Sequence, residues 1–283
     1  MLVSNPICRM LWFGAAHPLE DEEESMLNTF RVGCDPEFML LDKEGKMVRA
    51  DHHFPNYNDP IGCDHNGRLA EFHPAPTRGI LPIVRKIQVS INSDKVAQLP
   101  YKLRAGAVAC QDTLGGHVHF GFNSFQIPCN GAGTKEGYKL NERGEKVTKA
   151  LDALTKTLEH LDILPAQQSA RRRAHDHGYG RFGDVRDCDG HMEYRTMASW
   201  LYDPKVAFLC LTAAKLAAVD PEGTSDALKN CDSFAAFETW LNQYKSKDLN
   251  AARASEKLLE RGLKYVQCDP EVDFRGRWER LGL

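Results

Sequence analysis

Ionisable and apolar residues alternate one for one in four separate stretches of the chain, the period expected of a strand with one face buried. In the first stretch Asp35 and Glu37 share a face, while Phe38 and Leu40 take the other. In the second, Glu71 and His73 oppose Ala70 and Phe72. In the third, His117 and His119 oppose Val118, Phe120 and Phe122. In the fourth, His191, Glu193 and Arg195 oppose Met192 and Tyr194. Residues 30–50 read as a hairpin turning at Lys43-Glu44-Gly45, and the second strand stops at Pro74-Ala75-Pro76. The third and fourth strands cover residues 117–122 and 191–198.

Elsewhere the apolar period is helical. Ile80, Ile83, Val84, Ile87 and Ile91 form one face after a cap at Thr77 and an early Pro82. Val147, Leu151, Leu154, Leu158 and Leu161 form another. Asp203-Pro204 is a start signal, and residues 206–218 are apolar on nearly every side, which predicts a buried helix. Two more helices are expected near residues 233–244 and 250–262. Residues 52–60 and 171–190 read as polar loops. Residues 124–145, rich in Gly and Asn, read as a loop that closes over substrate. Residues 1–29, with the acidic run Asp21-Glu22-Glu23-Glu24, read as a peripheral arm. Residues 30–283 are expected to form a single α+β domain, a mainly antiparallel sheet with helices packed on one face and ionisable groups on the other.

Composition narrows the function classes. Apolar residues make up 42% of 283, enough for a substantial core, and the formal charge of −3 provides no attraction to nucleic acid or membrane surfaces. No apolar run reaches the ~20 residues of a membrane helix. Leu11-Trp12-Phe13-Gly14-Ala15-Ala16 is short and has only Arg9 as a basic flank, so no secretory signal is read there. The nine cysteines contain no C-x-x-C pair and are read as reduced thiols of a cytoplasmic protein.

Exposed strand faces ordinarily carry Thr, Lys, Ser or Gln. Here they carry Asp, Glu, His and Arg, flanked by Gly33, Gly62, Gly115, Gly116 and Gly121, which allow a ligand close to the backbone. Several carboxylates with one or two histidines suit a hard divalent cation, Mg²⁺ or Mn²⁺. Arg181, Arg186 and Arg195 add donors suited to phosphate oxygens, and together these groups suit phosphoryl transfer. A Walker A loop is absent.

The segments Gly33-Cys34-Asp35-Pro36-Glu37-Phe38, Gly62-Cys63-Asp64 with Glu71-Phe72-His73-Pro74, Gly115-Gly116-His117-Val118-His119-Phe120-Gly121 and Glu193-Tyr194-Arg195-Thr196 together resemble the phage-type carboxylate–amine (COOH–NH2) ligases, type 2, of the glutamine synthetase/glutamate–cysteine ligase superfamily. The resemblance spans roughly residues 30–200. It implies a curved sheet of the glutamine synthetase-like catalytic fold. It implies a reaction in which Mg-ATP converts a substrate carboxylate to an acyl phosphate and an amine then displaces phosphate. The substrates would be small-molecule or peptide carboxylates and amines, in the cytoplasm of a phage-infected bacterial host. Carried over residue by residue, Asp35, Glu37, Glu71, Glu193 and His117 would hold metal, with Asp64 beside Glu71. His119, Arg181, Arg186 and Arg195 would meet nucleotide phosphates. The first acidic pair is Asp-x-Glu where glutamine synthetase has Glu-x-Glu, which leaves the number of metals open. Three other readings stand beside this one: a phosphotransferase of the related guanidino-kinase type, a metal-dependent hydrolase built on His117, His119 and Glu193, and a non-catalytic binding protein.

Overall fold

The computed structural model describes residues 31–56, 59–64, 66–105, 114–121, 142–165, 185–188, 191–243 and 272–279. In chain order the strands are β1 (Val32–Leu41), β2 (Met47–Val48), β3 (Ile61–Cys63), β4 (Ala70–Phe72), β5 (Lys102–Arg104), β6 (Gly116–Phe120), β7 (Val185–Cys188) and β8 (His191–Tyr194). The helices are α1 (Ile80–Ile91), α2 (Asp94–Ala97), α3 (Glu142–His160), α4 (Pro204–Val219), α5 (Pro221–Leu228), α6 (Phe234–Gln243) and α7 (Arg275–Glu279). The sheet runs β3-β4-β1-β6-β8-β7, with β2 and β5 also paired to β1, and every strand pair is antiparallel. The α+β architecture expected from alternation is therefore the one found.

β1 is the spine. Its first five residues pair with β6, Glu37 and Phe38 pair with β4, and its last three pair with β5. The predicted hairpin is present: Leu40 and Leu41 pair with Val48 and Met47, and Gly45 takes φ +78° in the turn, a region that suits glycine.

Alternation buries the even-numbered face of β1. Val32, Cys34, Phe38 and Leu40 join Ala70, Phe72, Val118, Phe120, Met192 and Tyr194 in one core with the apolar faces of α1, α3 and α4. Each large side chain buried in this way contributes roughly 1.5–3 kcal/mol. Phe38 stacks on Phe72 at 4.7 Å and meets Phe54 and Phe274 edge-on at 6.3 and 5.8 Å. α4 is buried along almost its whole length, as its all-round apolarity predicts. Its one charged buried residue, Lys215, donates to the Arg78 carbonyl at 3.1 Å. The segment around α7 clamps the far side of the core. Arg275 donates to the carbonyls of Leu99 and Tyr101 at 3.1 and 2.8 Å, and Trp278 Nε1 donates to Leu201 at 2.6 Å.

Several expectations need correction. Thr77 does not cap α1. It forms a two-hydrogen-bond bridge with Val32, and Gly79 occupies the cap position without a side-chain bond. The fourth strand stops at Tyr194; Ala198 instead bridges Gly115. Residues 171–190 contain β7, whose four residues carry no alternation strong enough to stand out among polar neighbours. Residues 142–145 are the first turn of α3. The rest of the expected closing loop, the arm at 1–29, Phe122 and the helix at 250–262 lie outside the described residues.

Candidate active site

The register of the sheet places the odd-numbered face of β1 in rows with its neighbours. Glu37 lies opposite Glu71, Asp35 opposite His117, and Glu193 opposite both His119 and Arg186. On the same face of β1 beyond Glu37, Met39 and Leu41 join Leu69 and Leu114 in a second buried apolar cluster, so the ionisable patch ends at Glu37.

The side chains converge. Asp35 Oδ1 lies 3.1 Å from His117 Nδ1 and 2.9 Å from His119 Nε2. His117 Nδ1 lies 3.4 Å from Glu193 Oε1, and His117 Nε2 lies 3.9 Å from Glu37 Oε1. Arg195 closes the row at 2.5 Å from Glu193 Oε1. Glu37 is fixed by the backbone. The Gly115 amide donates to its Oε2, its own amide donates to the Gly115 carbonyl at 2.7 Å, and Ser199 Oγ donates to its carbonyl at 2.7 Å. Gly116 is needed for a different reason from the one expected. A Cβ there would lie 2.5–2.6 Å from Trp200 and the Ala198 carbonyl, so the close approach is to the chain itself.

These groups are nearly dry: Glu37 and Glu71 are 6% exposed, Glu193 2% and His117 1%. Burial alone would raise every carboxyl. For Asp35 the close approach of His119 and His117 outweighs it and holds the group well below the usual range. For Glu193 burial is likewise outweighed, by His117 and Arg195, and the group is lowered. Glu71 goes the other way: burial, with the charges of Glu37 and Asp35, raises it against the hydrogen bond from His73. His119, despite burial, is raised by Asp35.

The donor set fits a divalent cation. One ligand atom each from Asp35, His117 and Glu193 lie within 4.8 Å of one another. Asp35 Oδ1 is buried without a well-formed hydrogen bond. Carboxylate oxygens and an imidazole at this spacing suit Mg²⁺ or Mn²⁺, and a cation would neutralise the like charges of Asp35 and Glu193.

Of the residues singled out from sequence, Asp35, Glu37, Glu71, His117, His119, Glu193 and Arg195 are brought together on this face. Arg186 is beside them by backbone register, across from Glu193. Arg181 lies outside the described residues. Asp64 extends β3, its amide donating to the Leu69 carbonyl at 2.8 Å. Its Oδ1 accepts from the Arg68 and Leu69 amides at 2.8 and 3.0 Å and holds the β3–β4 turn. Asp and Asn commonly close turns in this way, and spacing from Glu71 alone could not distinguish that role. His73 shares the Glu71 face by alternation. Its ring lies 3.0 Å from Glu71 Oε2.

Residues 32–127 and 143–278 match the phage phiEco32-like COOH.NH2 ligase-type 2 family. Among solved structures, a bifunctional glutathione synthetase from Pasteurella multocida is similar at TM-score 0.47 and 13% identity, over 91% of this chain and 49% of that one. A novel glutamine synthase homolog is similar at TM-score 0.43 and 15% identity, over 91% of this chain and 73% of that one. The chain thus spans about half the length of the glutathione synthetase. No curated protein matches it.

Proposed function

The chain belongs to the phage phiEco32-like COOH.NH2 ligase-type 2 family, and on that footing we propose that residues 30–283 act as one ligase domain that joins a carboxylate to an amine and consumes Mg-ATP. The observation that carries this reading is the convergence of Asp35, His117 and Glu193 on one buried point, with Glu37 and Glu71 in the adjoining row and Arg195 on Glu193.

A carboxylate is a poor electrophile because its leaving group would be oxide. Phosphorylation by ATP replaces that with phosphate, and the resulting acyl phosphate is attacked by the amine to give amide, ADP and phosphate. Asp35, Glu37, Glu71, His117 and Glu193 would hold Mg²⁺ or Mn²⁺. When bound, such an ion supplies Lewis-acid neutralisation of phosphoryl oxygens. Arg195, with Arg186 and Arg181, would grip phosphate oxygens through the planar guanidinium fork. His119 would sit beside the nucleotide phosphates. The buried setting strengthens each of these interactions relative to water. The substrates are small-molecule or peptide carboxylates and amines, met in the cytoplasm of an infected host.

The test is an ADP-release screen with Mg²⁺ over carboxylate and amine pairs, with products identified by mass. ADP release that needs both partners and yields an amide supports the ligase. A phosphorylated product without amide replaces it with the phosphotransferase. Hydrolysis without ATP replaces it with the hydrolase.

A further inference from the structure

We propose that His73 is a positioning residue that fixes Glu71 for cation binding. The inference rests on the cation reading of the site given above and adds a residue to which that reading assigns nothing.

His73 follows the last residue of β4 and stays on the Glu71 face. Its amide donates to the Pro60 carbonyl at 2.9 Å, which continues the β3–β4 ladder by one bond. The ring is held at both nitrogens. Nδ1 lies 2.9 Å from the Asp59 carbonyl, and Nε2 lies 3.0 Å from Glu71 Oε2. A carbonyl only accepts, so Nδ1 donates to it; the Glu71 carboxylate accepts from Nε2. Asp59 is in turn tied down by its side chain, 3.2 Å from Lys95 Nζ and 3.4 Å from Asn56 Nδ2. The ring therefore connects a fixed point of the 59–60 segment to one oxygen of Glu71 and leaves the other oxygen for a cation.

Glu71 needs such a hold. It is buried directly opposite Glu37, and Asp35 is on the same face, so like charges push its carboxylate away from the point where a cation would sit. A donor on Oε2 offsets that push and selects one rotamer. Partners of this kind, one step removed from the ion, orient ligands, and losing them typically weakens metal binding. Because both ring nitrogens are engaged, His73 is a positioning residue and not itself a ligand.

The experiment is a Mn²⁺ titration of the full chain, read by the paramagnetic resonance signal of free Mn²⁺, for wild type, His73→Ala and His73→Gln. Melting in EDTA checks the fold of each variant. His73→Ala is expected to raise the Mn²⁺ Kd by about 10–100-fold. His73→Gln, whose amide can place an N–H near the Nε2 position, is expected to recover most of that loss. A wild-type Kd in His73→Ala overturns the inference and leaves the cation site standing. His73→Gln binding as weakly as His73→Ala also overturns it, because the donor is then not what matters. Absence of saturable Mn²⁺ binding in wild type overturns the cation reading itself. If His73→Ala does not fold, His73→Gln against wild type decides: near-equal affinity supports the role, and a tenfold loss refutes it.

Discussion

Glu71→Gln and Glu193→Gln should have opposite effects on the stability of the metal-free protein, although both should end cation binding. Glu193 lies between His117 at 3.4 Å and Arg195 at 2.5 Å, and these two outweigh burial and the repulsion from Asp35. An amide at 193 can still accept from Arg195, but the carboxylate charge that the half-buried Arg195 guanidinium had as its partner is gone. Hydrogen bonds to charged groups contribute about 1.5–3 kcal/mol, and the amide retains part of one, so a loss of about 2 kcal/mol is expected. At roughly 2–4 °C per kcal/mol for a chain of this size, Tm in EDTA should fall by about 4–8 °C. Glu71 is the reverse case, buried opposite Glu37 and raised by it. An amide there removes a like-charge contact, and its N–H₂ can donate to a neutral His73. Tm in EDTA should hold or rise. In Mn²⁺ at about 100 times its Kd, wild type should gain about 2.7 kcal/mol, and neither variant should gain it. The assay is thermal melting of the three proteins in EDTA and in MnCl₂. An equal drop in EDTA for both variants would refute the charge reasoning. A full Mn²⁺ shift in either would refute its place in the ligand set.

Three other outcomes follow from the same geometry. Arg195→Lys should cut turnover by roughly a hundredfold, the cost typical of one missing oxyanion donor, and Arg186→Lys and Arg181→Lys should cut it less; an unchanged turnover and Michaelis constant for ATP in Arg195→Lys would remove Arg195 from the phosphate site. His119 and His73 are raised above the ordinary 6.5, so the stability they contribute is complete below that pH and is lost as pH rises through their folded values. Asp35 and Glu193 are lowered from 3.8 and 4.5, so their contribution is lost only as pH falls through their depressed values. Melting in EDTA should therefore weaken from near neutrality upward; a melting temperature in EDTA independent of pH across that range would contradict this. Asp64→Asn should leave the Mn²⁺ Kd unchanged because its oxygen still closes the turn, whereas Asp64→Ala should cost about 1 kcal/mol in stability, as measured by denaturant unfolding.

The carboxylate face was legible because a period of two fixes which side chains share a side before any pairing is known. Asp35 with Glu37, Glu71 with His73, His117 with His119 and Glu193 with Arg195 all follow from that rule. The rows across the sheet were not legible, because register depends on contacts far apart in sequence: Glu37 meets the Gly115 amide 78 residues on. β3 and β5 are three residues each, too short for any period to register. Thr77 carried a cap signal that a β-bridge to Val32 overrode. Asp64 Oδ1 closes the β3–β4 turn, a use of the side chain that spacing from Glu71 does not reveal. The hold of His73 on Glu71 depends on the Asp59 carbonyl, a backbone group that no residue type advertises.

β1 has a consequence for how the molecule is made. Its ten residues precede their partners by long stretches of chain: the Gly115 amide that meets Glu37 comes 78 positions later, and Ser199 reaches back 162 positions to the Glu37 carbonyl. During synthesis the first acidic pair emerges long before His119 or Arg195 exists to offset it. Loop closure of this span is slow, since the entropy of joining distant segments is spent before their contacts form. The nascent chain therefore carries Asp35 and Glu37 without their imidazole neighbours until residues past 117 leave the ribosome, and a divalent cation captured at that stage would draw the later strands in. Refolding of the full chain should accordingly be faster in Mn²⁺ than in EDTA, with the chemistry of the site acting first as an aid to its own assembly.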